Sequence, residues 1–149
     1  PDLIDHVASV LRKTGLEPAR LKLEITESVI MESPELTLSL LAKLRDLGVK
    51  LFIDDFGTGY SSLNYLLRMP IHGLKIDRSF IHRIGSGGEN SAIVKTILSL
   101  SHDLHIDAIA EGIETDRQLE QIASLQCAYW QGYLFSRPVE SKKASAFIA

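Results

Sequence analysis

Two adjacent carboxylates, Asp54 and Asp55, close the apolar run Leu51-Phe52-Ile53 and are followed at once by Phe56-Gly57-Thr58-Gly59. The run reads as a strand buried on both faces, and the turn-forming residues after it end that strand. Asp54 and Asp55 therefore sit at its C-terminal end, with neighbouring side chains that diverge. Two hard anionic groups at one strand end suit a pair of divalent cations, one carboxylate bridging and the other completing the second site. Gly57 and Gly59 let the backbone turn tightly and approach a ligand closely. An acidic turn that caps the next helix would use the same residue types, so the pair alone leaves both readings open.

The elements around this stretch decide more. Asp2 can cap a helix with apolar residues Leu3, Ile4, Val7, Val10 and Leu11, ended by Gly15. Leu21–Ile25 alternates like a strand. Ser33-Pro34-Glu35 starts a helix that buries Leu36, Leu40, Leu41, Leu44 and Leu47 and stops at Gly48. The strand Lys50–Ile53 follows, then a short helix from Ser62 to Arg68 and a strand over Gly73–Ile76. Gly85-Ser86-Gly87-Gly88 forms a turn, and a helix from Glu89 buries Ile93, Val94, Ile97, Leu98 and Leu100. Ile106–Ala110 is a strand, Thr115–Gln118 has capping-box spacing for a helix through Leu125, and Cys127–Trp130 is the last strand. A terminal helix begins near Ser141.

Strands and helices thus alternate about five times, which predicts an α/β fold with a parallel sheet. Every strand ends in a polar residue: Glu24, then Asp54 and Asp55, then Lys75 and Asp77, then Glu111, then Gln131. A (β/α) barrel builds its site in this way, at the C-terminal rim. A doubly wound sheet is the alternative, but it gathers its ligands at one switch point. Four carboxylates on one rim would repel one another if left bare, and oxygen-only donors suit magnesium, manganese or calcium. Lys75, inside an apolar strand, either snorkels to the rim or pairs with acids. Gln131 could orient a water or a ligand. Glu27 and Glu114 read as loop or capping residues, His72, His82, His102 and His105 as surface residues, and Cys127 as a small buried one.

Length and composition set bounds on these readings. The 149 residues suffice for one domain with a core, and 45% hydrophobic with 23% charged residues is ordinary for a soluble globular protein. A net charge of −3 gives no basic footprint, which argues against polymeric nucleic acid as a partner. A single cysteine rules out an internal disulfide and fits the cytoplasm. No segment reads as a membrane span, although an anchor elsewhere in a longer parent chain stays open.

The decapeptide Asp54-Asp55-Phe56-Gly57-Thr58-Gly59-Tyr60-Ser61-Ser62-Leu63 resembles the signature of EAL-domain cyclic diguanylate phosphodiesterases. Leu23-Glu24-Ile25-Thr26-Glu27-Ser28, Leu74-Lys75-Ile76-Asp77, Ala110-Glu111-Gly112-Ile113-Glu114-Thr115 and Gln131-Gly132-Tyr133-Leu134-Phe135-Ser136-Arg137-Pro138 resemble four further motifs of that family, in its order. The resemblance implies a partial TIM-like barrel, with residues 1–149 as the C-terminal portion of a single EAL domain. The Glu-Ala-Leu motif itself, and an asparagine motif after it, are absent from this chain.

The resemblance further implies hydrolysis of cyclic-di-GMP to the linear dinucleotide, with Mg2+ or Mn2+ as cofactor and Ca2+ inhibitory or substituting. It implies Glu24, Asp54 and Asp55 as metal ligands, Asp54 bridging, and places Glu111, Lys75 and Gln131 around the attacking water. Glu27 resembles a glutamate that anchors the loop after Asp55; Asp77, Glu114, Tyr133 and Pro138 are further substrate or loop candidates. That loop couples to a dimer contact in the family, so a homodimer is expected. Sensor or GGDEF modules are possible in a parent chain. The glutamate and asparagine of the two absent motifs are metal ligands in the family, so the chain by itself is expected to be nearly inactive. A degenerate EAL domain acting as a cyclic-di-GMP-binding or protein-interaction module is the alternative.

Overall fold

The computed structural model describes residues 2–59, 63–84 and 88–147. Five strands, β1 (Lys22–Thr26), β2 (Lys50–Phe56), β3 (Gly73–Ile76), β4 (Asp107–Glu111) and β5 (Tyr129–Gln131), form one sheet in the order of the sequence. Every neighbouring pair is parallel. A doubly wound sheet would reverse its strand order at a switch point, and this sheet does not. The fold is α/β, with the sequential order of a (β/α) barrel, and the sheet does not close among the described residues.

The helices between the strands are α1 (Leu3–Thr14), α2 (Glu27–Glu32), α3 (Pro34–Asp46), α4 (Leu63–Leu66), α5 (Arg78–His82), α6 (Gly88–Asp103), α7 (Asp116–Ser124) and α8 (Ser141–Ala144). Side chains alternate across a strand, and residues in parallel register share a face. Leu51 packs with Val7 and Leu11 of α1 and Leu41 and Leu44 of α3. Leu74, Ile76 and Ala110 pack with Ile81 of α5, Val94 and Ile97 of α6 and Ile122 of α7. These helices therefore cover one face of the sheet. The other face carries Glu24, Phe52, Asp54, Gly73, Lys75, Ile109, Glu111 and Gln131, as the registers Glu24↔Phe52↔Gly73 and Lys75↔Ile109↔Tyr129 require.

Several local expectations are corrected. β2 runs on to Phe56, so Asp54 and Asp55 lie within the strand rather than beyond it. α2 and α5 are additional short helices, each starting directly after a strand end. Leu36 is 75% exposed because the buried stripe of α3 runs through Thr37, Leu41 and Leu44, one position later. Ile93 is likewise exposed. Neither Asp2 nor Ser33 makes a side-chain cap, whereas Thr115 and Gln118 do form the expected capping box. The expected start of the short helix at Ser62 and residues 85–87 of the expected turn lie outside the described residues, while Gly88, expected in that turn, already opens α6.

Candidate active site at the strand ends

Lys75 is the centre of the cluster. Its side chain is 6% exposed, and its Nζ lies 2.6 Å from Glu24 Oε2, 3.0 Å from Asp54 Oδ1 and 2.6 Å from Glu111 Oε1. An ammonium has three donors, and three carboxylates meet them. Burial alone would depress this ammonium, but the hydrogen bonds to Glu111, Glu24 and Asp54 outweigh it and push its pKa up. The lysine is therefore charged, and of the two expected roles it takes the pairing one. Burial pushes the Glu111 carboxyl above its ordinary value, helped by the charges of Asp54 and Glu24 and opposed by Lys75.

The divergence expected of Asp54 and Asp55 does not occur. The register of β2 against β3 shifts between Ile53 and Phe56, and Asp55 takes φ +54, in the left-handed region. Such a bulge re-aims a side chain that the pleat would send to the opposite face. One oxygen each from Asp54, Asp55 and Glu111 consequently lie within 4.8 Å of one another. The Asp55 carbonyl is held by Thr58 Oγ1 at 2.9 Å, and the Asp55 N–H donates to Asp54 Oδ1 at 3.1 Å. Burial and the neighbouring Asp54 and Asp77 charges raise the Asp55 carboxyl. An oxygen-only donor set this tight fits a hard divalent cation such as Mg2+, Mn2+ or Ca2+.

Glu27 is not a solvated loop residue. It opens α2, is 2% exposed, and its Oε2 accepts the N–H groups of Gly57 at 3.0 Å and Gly59 at 3.1 Å. A Cβ at Gly59 would lie 2.9 Å from the Glu27 carboxyl carbon, so glycine is what lets the loop close on it. Asp77 caps α5, accepting the Ser79 N–H at 2.9 Å. Burial would raise this carboxyl, yet its hydrogen bonds from Ser79, Asp55 and Arg78 hold it below its ordinary value.

Gln131 ends β5 in register with Glu111. It opens a groove of about 350 Å³ that Tyr133 and Pro138 also line, where the Arg137 guanidinium sits 5.0 Å from the centre of the Tyr133 ring. Glu114 stands apart from the carboxylate cluster, exposed and 3.5 Å from His82 Nε2. A larger cavity, about 560 Å³, lies between α6 and the approach to β5 and includes none of the clustered carboxylates. One residue has a role the sequence gives no signal for. His72 was expected at the surface, but its Nδ1 accepts the Leu51 N–H at 3.1 Å and its backbone joins β2 to β4. Cys127 is buried, as expected, but it precedes β5 rather than opening the last strand.

This chain is similar over 146 residues, at 44% identity, to the cyclic di-GMP phosphodiesterase NbdA of Pseudomonas aeruginosa, covering 98% of the chain and 19% of NbdA. It is 43% identical over 147 residues to the bifunctional diguanylate cyclase/cyclic di-GMP phosphodiesterase MucR of the same organism, covering 99% of the chain and 22% of MucR. The chain thus spans about a fifth of the length of these relatives. It superposes on the MucR phosphodiesterase solved with c-di-GMP at a TM-score of 0.91, with 43% identity over 95% of this chain and 57% of that one. Klebsiella pneumoniae BlrP1, solved with manganese and the cyclic dinucleotide, gives a TM-score of 0.86 at 36% identity over 93% of this chain and 35% of that one. The EAL domain profile matches residues 1–138, and the chain belongs to the EAL domain family.

Proposed function

We propose that this chain is the C-terminal portion of a domain that hydrolyses cyclic-di-GMP to the linear dinucleotide with a divalent metal. The carrying observation is the convergence of Glu24, Asp54, Asp55 and Glu111 on the rim around Lys75, in a family whose relatives NbdA and MucR bear that activity in their names. Asp54, Asp55 and Glu111 would hold one cation, and Glu24 with Asp54 would serve a second. Such ions supply polarisation of the phosphodiester and a lowered pKa for a water.

The chain's own residues contribute orientation and proton handling. Glu111, with its raised pKa and its bond to Lys75, is suited to take a proton from an attacking water. Lys75 fixes the Glu111 oxygen that it contacts, leaving the other either for the cation or for the water. Gln131, in register beside it, can hold the water or a phosphate oxygen. Tyr133 and Pro138 offer ring surface for a base in the adjoining groove. Glu27 keeps the loop after Asp55 in place through Gly57 and Gly59.

BlrP1 has been solved with manganese and with calcium beside the cyclic dinucleotide, which supports a hard divalent ion at this site, Mg2+ or Mn2+ as the working ion and Ca2+ inhibitory or substituting in this proposal. MucR is named as bifunctional with a diguanylate cyclase, which supports a GGDEF module in a longer parent chain. A cytoplasmic site of action fits this substrate; among the described residues no helix is long and apolar enough to cross a membrane. The test is chromatography of cyclic-di-GMP incubated with the full-length protein in Mg2+, Mn2+ or Ca2+. Linear dinucleotide in Mg2+ or Mn2+ is the expected result. Tight binding with no product in any ion would favour the degenerate binding module instead.

A further inference from the structure

We propose that Lys75 is the internal cation of the carboxylate cage: it holds Glu24, Asp54 and Glu111 together before a divalent ion arrives and, by opposing that ion, sets how tightly it binds. The inference rests on the metal-site reading above. The buried ammonium pairs with three carboxylates at once, Glu24 at 2.6 Å, Asp54 at 3.0 Å and Glu111 at 2.6 Å. Two of its three partners, Asp54 and Glu111, belong to the group whose oxygens lie within 4.8 Å of one another together with Asp55. The ammonium and a divalent ion therefore draw on the same carboxylates.

Two consequences follow from charge alone. Without a metal, the ammonium offsets the mutual repulsion of the acids, and deleting it leaves them uncompensated at a partly buried site. With a metal, the ammonium is a like charge beside the ion and a competitor for its ligand oxygens. By linkage, whatever Lys75 contributes to the metal-free state and loses when the ion binds is withdrawn from metal affinity. A lysine that merely packed would lower stability equally with and without metal and leave the affinity unmoved.

The test is Mn2+ titration by calorimetry, with thermal melting, on the full-length protein and its Lys75→Met variant at one fixed pH. Lys75→Met is expected to bind Mn2+ at least about tenfold more tightly. It is also expected to melt earlier than the parent without metal and to gain more in Tm when Mn2+ is added. Lys75→Arg, which keeps the charge, is expected to bind Mn2+ close to the parental affinity. Unchanged or weakened affinity in Lys75→Met would overturn the inference, as would equal tightening in Lys75→Arg. If Lys75→Met does not fold without metal, refolding in Mn2+ should recover it, and failure to do so overturns the idea as well. A parental protein that binds no Mn2+ would show, before any substitution, that the metal-site reading itself is wrong and the inference with it.

Discussion

Asp54 and Glu111 each face two demands, pairing with Lys75 and offering an oxygen to a cation. Asp54→Asn and Glu111→Gln keep the shape of the side chain and remove its charge. In the full-length protein each is expected to cut hydrolysis of cyclic-di-GMP about a hundredfold or more, the usual cost of one positioned electrostatic group. The circular dichroism spectrum should stay parental, because neither side chain belongs to the apolar core. Near-parental turnover in Mg2+ would sink the assignment. Glu27 acts one step further out, through the backbone N–H groups of Gly57 and Gly59. Glu27→Gln replaces a charged acceptor of both glycine N–H groups with a neutral one, and is expected to lower turnover while the fold persists. Limited proteolysis should show faster cleavage after Asp55, and an unchanged cleavage pattern would contradict the anchoring role.

At the scale of elements, the site depends on what the apolar strands place beneath it. Phe52 lies in register with Gly73 on the face that carries the carboxylates, and a Cβ at Gly73 would run into its ring. Gly73→Ala is expected to cost about 1–3 kcal/mol by overpacking, read as a lowered urea midpoint with the slope unchanged. His72 ties the same layer together. Burial and the nearby Lys50 lower its pKa, so the unfolded chain binds the proton more readily than the folded one. Stability from this group is present above the unfolded value near 6.5 and is lost as pH falls through and below it. The urea midpoint should therefore drop between pH 7.5 and 5.5, and His72→Gln should flatten that dependence. A parental slope in the variant would clear His72 of the role.

The same elements show what a sequence can carry. The alternation of strands and helices and the polar strand ends are legible because each is written in a short apolar run with one conspicuous exception, whereas for Lys75 the run leaves snorkelling and pairing equally open. The two short helices α2 and α5 are not legible. Six and five residues span too little to show a period. The register shift in β2 leaves no mark either, because aspartate tolerates left-handed backbone better than most residues but takes it at only a few positions. Leu36 misleads because apolar residues recur at several offsets along α3, and which stripe is buried depends on what it meets. His72 looks unremarkable for the same reason, since its value lies in a partner 21 positions away.

For the whole molecule, the outer strands of the sheet are β1 and β5, and β5 is thinly covered: Tyr129 is 51% and Trp130 42% exposed. A strand edge with free N–H and C=O groups beside exposed aromatic rings recruits another chain unless something covers it. A second apolar patch comes from Leu63 and Leu67, 60% and 66% exposed, at and just after α4, which follows the loop held by Glu27. The 149-residue chain on its own is expected to self-associate as a two-fold dimer, burying more than roughly 1,000 Å². The two surfaces can be told apart. Trp130→Glu charges the β5 edge and Leu67→Glu charges the α4 patch, and neither touches the carboxylate cluster. Light scattering at micromolar concentration should give a dimer for the parental chain and a monomer for whichever variant lies in the interface. A compact monomer for the parental chain would contradict self-association. A dimer broken by Leu67→Glu alone would tie assembly to the loop after Asp55, and through Glu27 to the carboxylates that the loop supports.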